Sequence, residues 1–150
     1  MNFNKNKMVF PHITSIGDSG LIVMFGEKFS IELNQKALAL DFELNKILPD
    51  GVLETIPTLV SLMVRFDPLT VSYHFLRDYM EALLESDLNI EISGGRSFVI
   101  PAVYGGKEGP ELDEVADLMQ IRPDQVISGH SDSEQQVMML GFSAGCSYCG

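Results

Sequence analysis

The chain has 150 residues, 45% of them hydrophobic and 21% charged, with a formal net charge of −11 at pH 7. This is a globular composition and not a disordered one, long enough to bury a core in one ordinary domain or two very small ones. The charge is uneven, six Lys or Arg against seven Asp or Glu up to Arg65 and four against fourteen from Phe66 onward, and such a surface excludes nucleic acid and anionic membrane as general partners.

Met1 to Lys7 is polar and no apolar signal core follows it, and no apolar run is long enough to cross a bilayer, so the expectation is a soluble, cytoplasmic protein. A short strand over His12 to Ser15, with Ile13 and Ile16 as inward candidates, precedes the turn Gly17-Asp18-Ser19-Gly20. The GDSG tetrapeptide is read as a hairpin turn. A trypsin-like nucleophile needs a longer chain with the serine late in it, and an early esterase nucleophile needs a later Asp-x-x-His, which Ser128-Gly129-His130 does not supply. Leu21 to Phe25 is an apolar strand ended by Gly26. Ser30 is a good N-cap for a helix whose stripe is Leu33, Ala37, Leu40, Leu44 and Ile47, stopped by Leu48-Pro49-Asp50-Gly51. Strands over Val52 to Ile56 and Ser61 to Phe66 follow. Beyond the turn at Asp67 to Thr70, a second amphipathic helix runs from Ser72 with Leu76, Tyr79, Met80, Leu83 and Leu84. His74 on its first turn is read as scaffold. The order ββαββα predicts an α+β unit, an antiparallel sheet with both helices on one face.

A domain boundary is expected near Asp87, dividing residues 1–87 from 88–150. Strands over Asn89 to Ile92 and Ser97 to Ile100 flank Ser93-Gly94-Gly95-Arg96, a hairpin signal. The second strand runs into Tyr104-Gly105-Gly106, then Gly109-Pro110 at the mouth of an acidic helix with Leu112, Val115, Ala116 and Met119 on one face. Adjacent glycines permit positive φ and close backbone approach, and Pro110 suits a helix's first turn. Such a strand, glycine loop and helix start leave backbone N–H groups for an anion or a polarised carbonyl oxygen; a tight connection with no ligand is the plainer reading. Pro123 opens a short helical turn closed by Gly129, His130-Ser131 follow, and Gln136 to Leu140 is a strand. Cys146 and Cys149 have redox spacing, but no helix follows to lower a thiol pKa, and zinc would need two further ligands. They are read as loop cysteines with no metal site.

Five blocks stand in order: Gly17-Asp18 with Phe25-Gly26; Pro57, Ser61-Leu62 and Phe66-Asp67-Pro68; Tyr104-Gly105-Gly106 with Gly109-Pro110; His130-Ser131; and Leu140-Gly141-Phe142 with Gly145 and Tyr148. As a set they resemble the KipI / allophanate hydrolase subunit 1 family, now mostly called the 5-oxoprolinase B-subunit family, from about Ile13 to Gly150. The resemblance implies a small N-terminal α/β domain followed by a cyclophilin-like β-barrel, of which this chain carries the opening part. In the family's final block, prolines stand where this chain has Ala144 and Ser147, phenylalanine where it has Cys146, and leucine where it has Cys149.

The resemblance also implies ATP-dependent opening of a cyclic amide. The B-subunit acts with a related C-subunit partner to phosphorylate 5-oxoproline, a third subunit completes hydrolysis to glutamate, and ATP with Mg2+ is shared with the partner. On that reading His130 and Glu108 are the candidate proton-transfer groups. Tyr104, Gly105, Gly106, Gly109, Gly141, Phe142, Gly145 and Tyr148 hold substrate or phosphate. Family members continue past the position of Gly150, so this chain alone is expected to be inactive, and to associate with itself or with the C-subunit. Two alternatives stand beside this: a non-catalytic KipI-like protein that inhibits a sporulation histidine kinase, and an allophanate hydrolase-type amide hydrolase subunit.

Overall fold

A computed structural model describes residues 8–86 and 95–150. They form two compact units: the described part of Met1–Gly94 with Val137–Gly150, and Gly95–Gln136. The boundary expected at Asp87 and the strand expected at Asn89 to Ile92 lie outside the described residues, and Val137–Gly150 groups with the N-terminal segment.

The first unit begins with β1 (His12–Ile16) and β2 (Gly20–Met24), joined through the Gly17 turn, followed by α1 (Ile31–Lys46). Next come β3 (Val52–Pro57), β4 (Ser61–Phe66) and α2 (Tyr73–Glu85). The sheet is antiparallel throughout, in the order β1-β2-β4-β3. Side chains alternate across a strand, so one face of β2 supplies Leu21 and Val23 and one face of β4 supplies Leu62, Val64 and Phe66, all buried. Against that face lie Ala37, Leu40 and Leu44 of α1 and Leu76 and Met80 of α2 in one core. Both helices therefore cover the same side of the sheet, and the α+β class stands.

The helix starts are local chemistry. Ser30 Oγ accepts from Leu33 N at 3.2 Å and Ser72 Oγ accepts from Phe75 N at 3.2 Å, each satisfying an N–H that the first turn cannot. Glu32 and Lys36 pair at 2.7 Å one turn apart, and this pairing holds the Glu32 carboxyl below its ordinary range. Ile47, expected to end the α1 stripe, is 77% exposed. It is the C-cap at φ −139°, outside the helical period, and its carbonyl accepts from Tyr79 Oη of α2 at 3.1 Å. Ile16 is exposed because it lies three residues from Ile13, on the opposite face of β1.

Asn34 is the buried polar side chain of α1, 2% exposed. Its Nδ2 donates to Thr58 O at 3.2 Å, to Leu59 O at 3.4 Å and to Met138 O at 3.0 Å. The last bond ties α1 to β5 (Val137–Leu140), which pairs antiparallel with β6 (Ser147–Cys149). The strand expected at Gln136 to Leu140 is thus present, and its partner β6 falls where loop cysteines were expected. Of the three residues of β6 only Tyr148 has strong strand propensity, and the segment becomes a strand by pairing.

In the second unit the strand expected over Ser97 to Ile100 does not form. Phe98, Val99 and Ile100 are 70%, 99% and 81% exposed, with no ladder partner among the described residues. A strand is defined by its neighbour's hydrogen bonds, and an apolar run alone does not provide one. Two short helices follow, α3 (Leu112–Met119) and α4 (Pro123–Ser131), packed against each other, with Ala116 of α3 buried. Val115 and Met119, expected to share one face with Ala116, are 37% and 60% exposed.

Candidate functional site

The glycine loop is built by backbone geometry. Gly105 and Gly106 sit at φ +73° and +62°, left-handed values that cost a residue with a Cβ about 1–2 kcal/mol. Gly109 N donates to Gly105 O at 3.1 Å, and Leu112 N to Gly109 O at 3.3 Å, so the loop curls onto the start of α3. A Cβ on Gly109 would lie 2.9 Å from Gly105 N, which rigid backbone cannot accommodate. Pro110 was expected in the first helical turn. It lies one residue before the N-cap, because Glu111 takes that place and α3 begins at Leu112.

His130 was expected to follow a helix closed by Gly129. Instead α4 runs through Gly129 and ends at the C-cap Asp132, so His130 stands in the last turn. Pro123 does sit at the helix start, where Gln125 Oε1 accepts from Arg122 N at 3.0 Å. Arg122 grips Asp124 by two bonds of 3.0 and 2.8 Å, which holds the Asp124 carboxyl below its ordinary range. Carried to the end of α4, the imidazole meets the phenol that opens the glycine loop. Tyr104 Oη and His130 Nδ1 are 2.6 Å apart, the rings edge to face at 76° with centroids 5.7 Å apart. Ser133 Oγ, unmarked in the sequence, donates to His130 O at 2.9 Å. Glu108 is exposed on the loop and makes no bond to either ring among the described residues. The second unit therefore unites Tyr104, Gly105, Gly106, Gly109 and His130, and leaves Glu108 outside the pair.

Gly141, Phe142, Gly145 and Tyr148 belong to the β5–β6 hairpin of the first unit. Ser143 N donates to Gly141 O at 2.8 Å across a three-residue turn whose apex, Phe142, sits at φ +66° and is 95% exposed. Gly145 at φ +79° and the bond Gly141 N to Cys146 O at 3.1 Å complete the turn, and Tyr148 on β6 is 40% exposed. The strain at Phe142 is measurable. Phe142→Gly should raise stability by about 0.5–1 kcal/mol in denaturant unfolding, relief of the left-handed phenylalanine outweighing the added chain entropy.

Cys146 and Cys149 are free thiols, and among the described residues no group of three or more His, Cys, Asp or Glu side chains is placed to hold a metal ion. The glycine loop and the start of α3 set one cation, Lys107, among Glu108, Glu111, Asp113 and Glu114. Those side chains by themselves do not fit a triphosphate. Among the described residues no helix is long and apolar enough to cross a membrane.

The family described as carboxyltransferase domain, subdomain C and D, matches residues 11–150. The 5-oxoprolinase B-subunit of Bacillus subtilis (strain 168) is 34% identical over 149 residues, 92% of this chain and 62% of that protein. The 5-oxoprolinase B-subunit of Haemophilus influenzae is 33% identical over 97 residues, 61% of this chain and 46% of that protein. The solved structure of TTHA0988 is similar with a TM-score of 0.71 at 30% identity, over 87% of this chain and 25% of that one. The chain thus spans less than two thirds of the length of these curated relatives. A match over residues 11–150 that takes in both the capped α+β unit and the glycine loop means that this chain belongs to the carboxyltransferase domain family, subdomains C and D, with the 5-oxoprolinase B-subunit proteins as its relatives.

Proposed function

We propose that this chain supplies the B-subunit part of an ATP-dependent 5-oxoprolinase, acting with a partner of the C-subunit kind to phosphorylate 5-oxoproline and open it towards glutamate. The observation that carries the reading is the 34% identity with a 5-oxoprolinase B-subunit over 92% of the chain. The glycine loop with the Tyr104–His130 pair is chemistry suited to a lactam.

A five-membered lactam is a resonance-stabilised amide whose oxygen carries partial negative charge, and that oxygen bonds to phosphorus as the amide N–H proton is lost. ATP with Mg2+, when bound, supplies the phosphoryl group that makes that oxygen a leaving group. The side chains of this chain's loop do not fit a triphosphate, so the nucleotide is assigned chiefly to the partner. What this chain contributes is positioning. Backbone N–H groups beside Gly105 and Gly106 face the lactam oxygen, His130 handles a hydrogen bond or proton at that oxygen, and the acidic α3 start directs the chain towards a basic partner surface. Phe142 and Tyr148 are contact residues for substrate or partner on this reading, and the working location is the cytoplasm.

The test is ATP-dependent loss of 5-oxoproline by the chain co-expressed with its partner subunits. Turnover is expected only with the partner present, and Gly109→Ala should lower it at least about tenfold by displacing the Gly105 backbone. Full turnover by the partners alone, or undiminished turnover with Gly109→Ala, refutes the assignment.

A further inference from the structure

The two nitrogens of His130 are not equivalent. Nδ1 is taken up by Tyr104 Oη at 2.6 Å, within the range of a short O–H···N hydrogen bond. A neutral imidazole has one donor and one acceptor nitrogen, and which is which follows from the partner. A phenol is a better proton donor than an imidazole N–H, and an imidazole nitrogen is a better acceptor than a phenol oxygen. The pair is therefore most stable with Tyr104 Oη–H donating to Nδ1, which leaves the imidazole proton on Nε2. The edge-to-face packing at 76° and the bond from Ser133 Oγ to His130 O restrict the ring and the backbone that carries it.

We infer that Tyr104 is a positioning residue that locks neutral His130 in the Nε2–H form, so that His130 meets a carbonyl oxygen as a hydrogen-bond donor and not as a base. The tautomer is a property of this chain alone. Its use on a lactam oxygen rests on the reading above. A donor hydrogen-bonded to the lactam oxygen fixes where that oxygen stands, and no proton need leave the imidazole. Protonated His130 would carry a hydrogen on Nδ1 and would have to reverse the bond to Tyr104, so the locked donor belongs to the neutral ring. Tyr104 then serves the site through His130, without touching substrate.

Two independent measurements test this. The first is the tautomer, read on the full chain from nitrogen–proton correlation spectra of the imidazoles at about pH 8.5, where histidine is neutral. His74, exposed at the start of α2, is the internal reference. His130 should be more completely Nε2-protonated than His74, and Tyr104→Phe, which keeps the ring and removes only the hydroxyl, should return it to the His74 value. An Nδ1–H tautomer in the wild-type chain, or a tautomer indifferent to Tyr104→Phe, overturns the inference whatever the enzyme assay shows.

The second measurement is turnover with the partner subunits. Tyr104→Phe should lower kcat about five- to tenfold with KM little changed, and should have no further effect in a His130→Ala background. His130→Gln, whose amide can still donate, should keep more activity than His130→Ala. Equal loss in the Gln and Ala variants, or a Tyr104→Phe effect that persists without His130, overturns the donor role. Absence of turnover in the wild-type assembly refutes the proposed function and leaves the tautomer result to decide the pair.

Discussion

Leu40→Ala should lower the unfolding free energy by about 3–5 kcal/mol, a large part of the roughly 5–15 kcal/mol that a domain of this kind has to lose. Leu40 is fully buried in the core that α1 and α2 make with β2 and β4. Truncation removes three carbons from that core and leaves a void, because close-packed neighbours such as Leu62 and Val64 relax only in part. Ile47→Ala is the matched control. Ile47 belongs to the same sequence stripe but is 77% exposed, and its loss should change stability by no more than about 0.5 kcal/mol. Equilibrium denaturation of both variants is the check. Equal effects would mean that the stripe, and not the packing, sets the energetics.

Asn34→Ala should cost about 2–4 kcal/mol and act on a region far away in sequence. Its amide serves Thr58 O and Met138 O, and removing it strands the Met138 carbonyl beside a side chain that is 2% exposed. An unsatisfied buried acceptor costs about 1–3 kcal/mol, and the truncation adds a small void. The bond to Met138 spans 104 residues and holds the β5–β6 hairpin to α1. Hydrogen exchange at the β5–β6 amides should therefore accelerate more than exchange in β2 or β4. Asn34→Asp should be no milder, since a carboxylate cannot donate to these carbonyls. Unchanged protection of the hairpin would remove Asn34 as its tether.

Asn34 was also the residue that a stripe reading passes over. It stands next to Leu33 and one turn before Ala37, on the face that α1 buries, and a polar residue there was the available sign of a buried amide with partners. The glycine loop was more legible. Gly105 and Gly106 take the positive φ that adjacent glycines permit, and the spacing to Gly109 closes as a hydrogen bond to Gly105. That Tyr104 and His130 would meet was not legible, nor was the separation of Glu108 from them, since the rings are 26 positions apart with α3 and most of α4 between them.

What the sequence determined by itself is local: four strands and two long helices in the order ββαββα, the Ser30 cap, the start of the second helix at Ser72, and the turns at Gly17 and Gly51. Period, cap and turn chemistry each act within about four residues, so a single chain displays them directly. The tertiary structure alone decided which apolar segments became strands. Ser147 to Cys149 pairs with β5 and is a strand, whereas Phe98 to Ile100 has stronger strand propensity, finds no ladder among the described residues and stays exposed. It also placed the Asn34 amide on Met138 and the Tyr104 phenol on His130. Each is a hydrogen bond between groups far apart along the chain, and its existence depends on the path of the backbone between them, which no local pattern specifies.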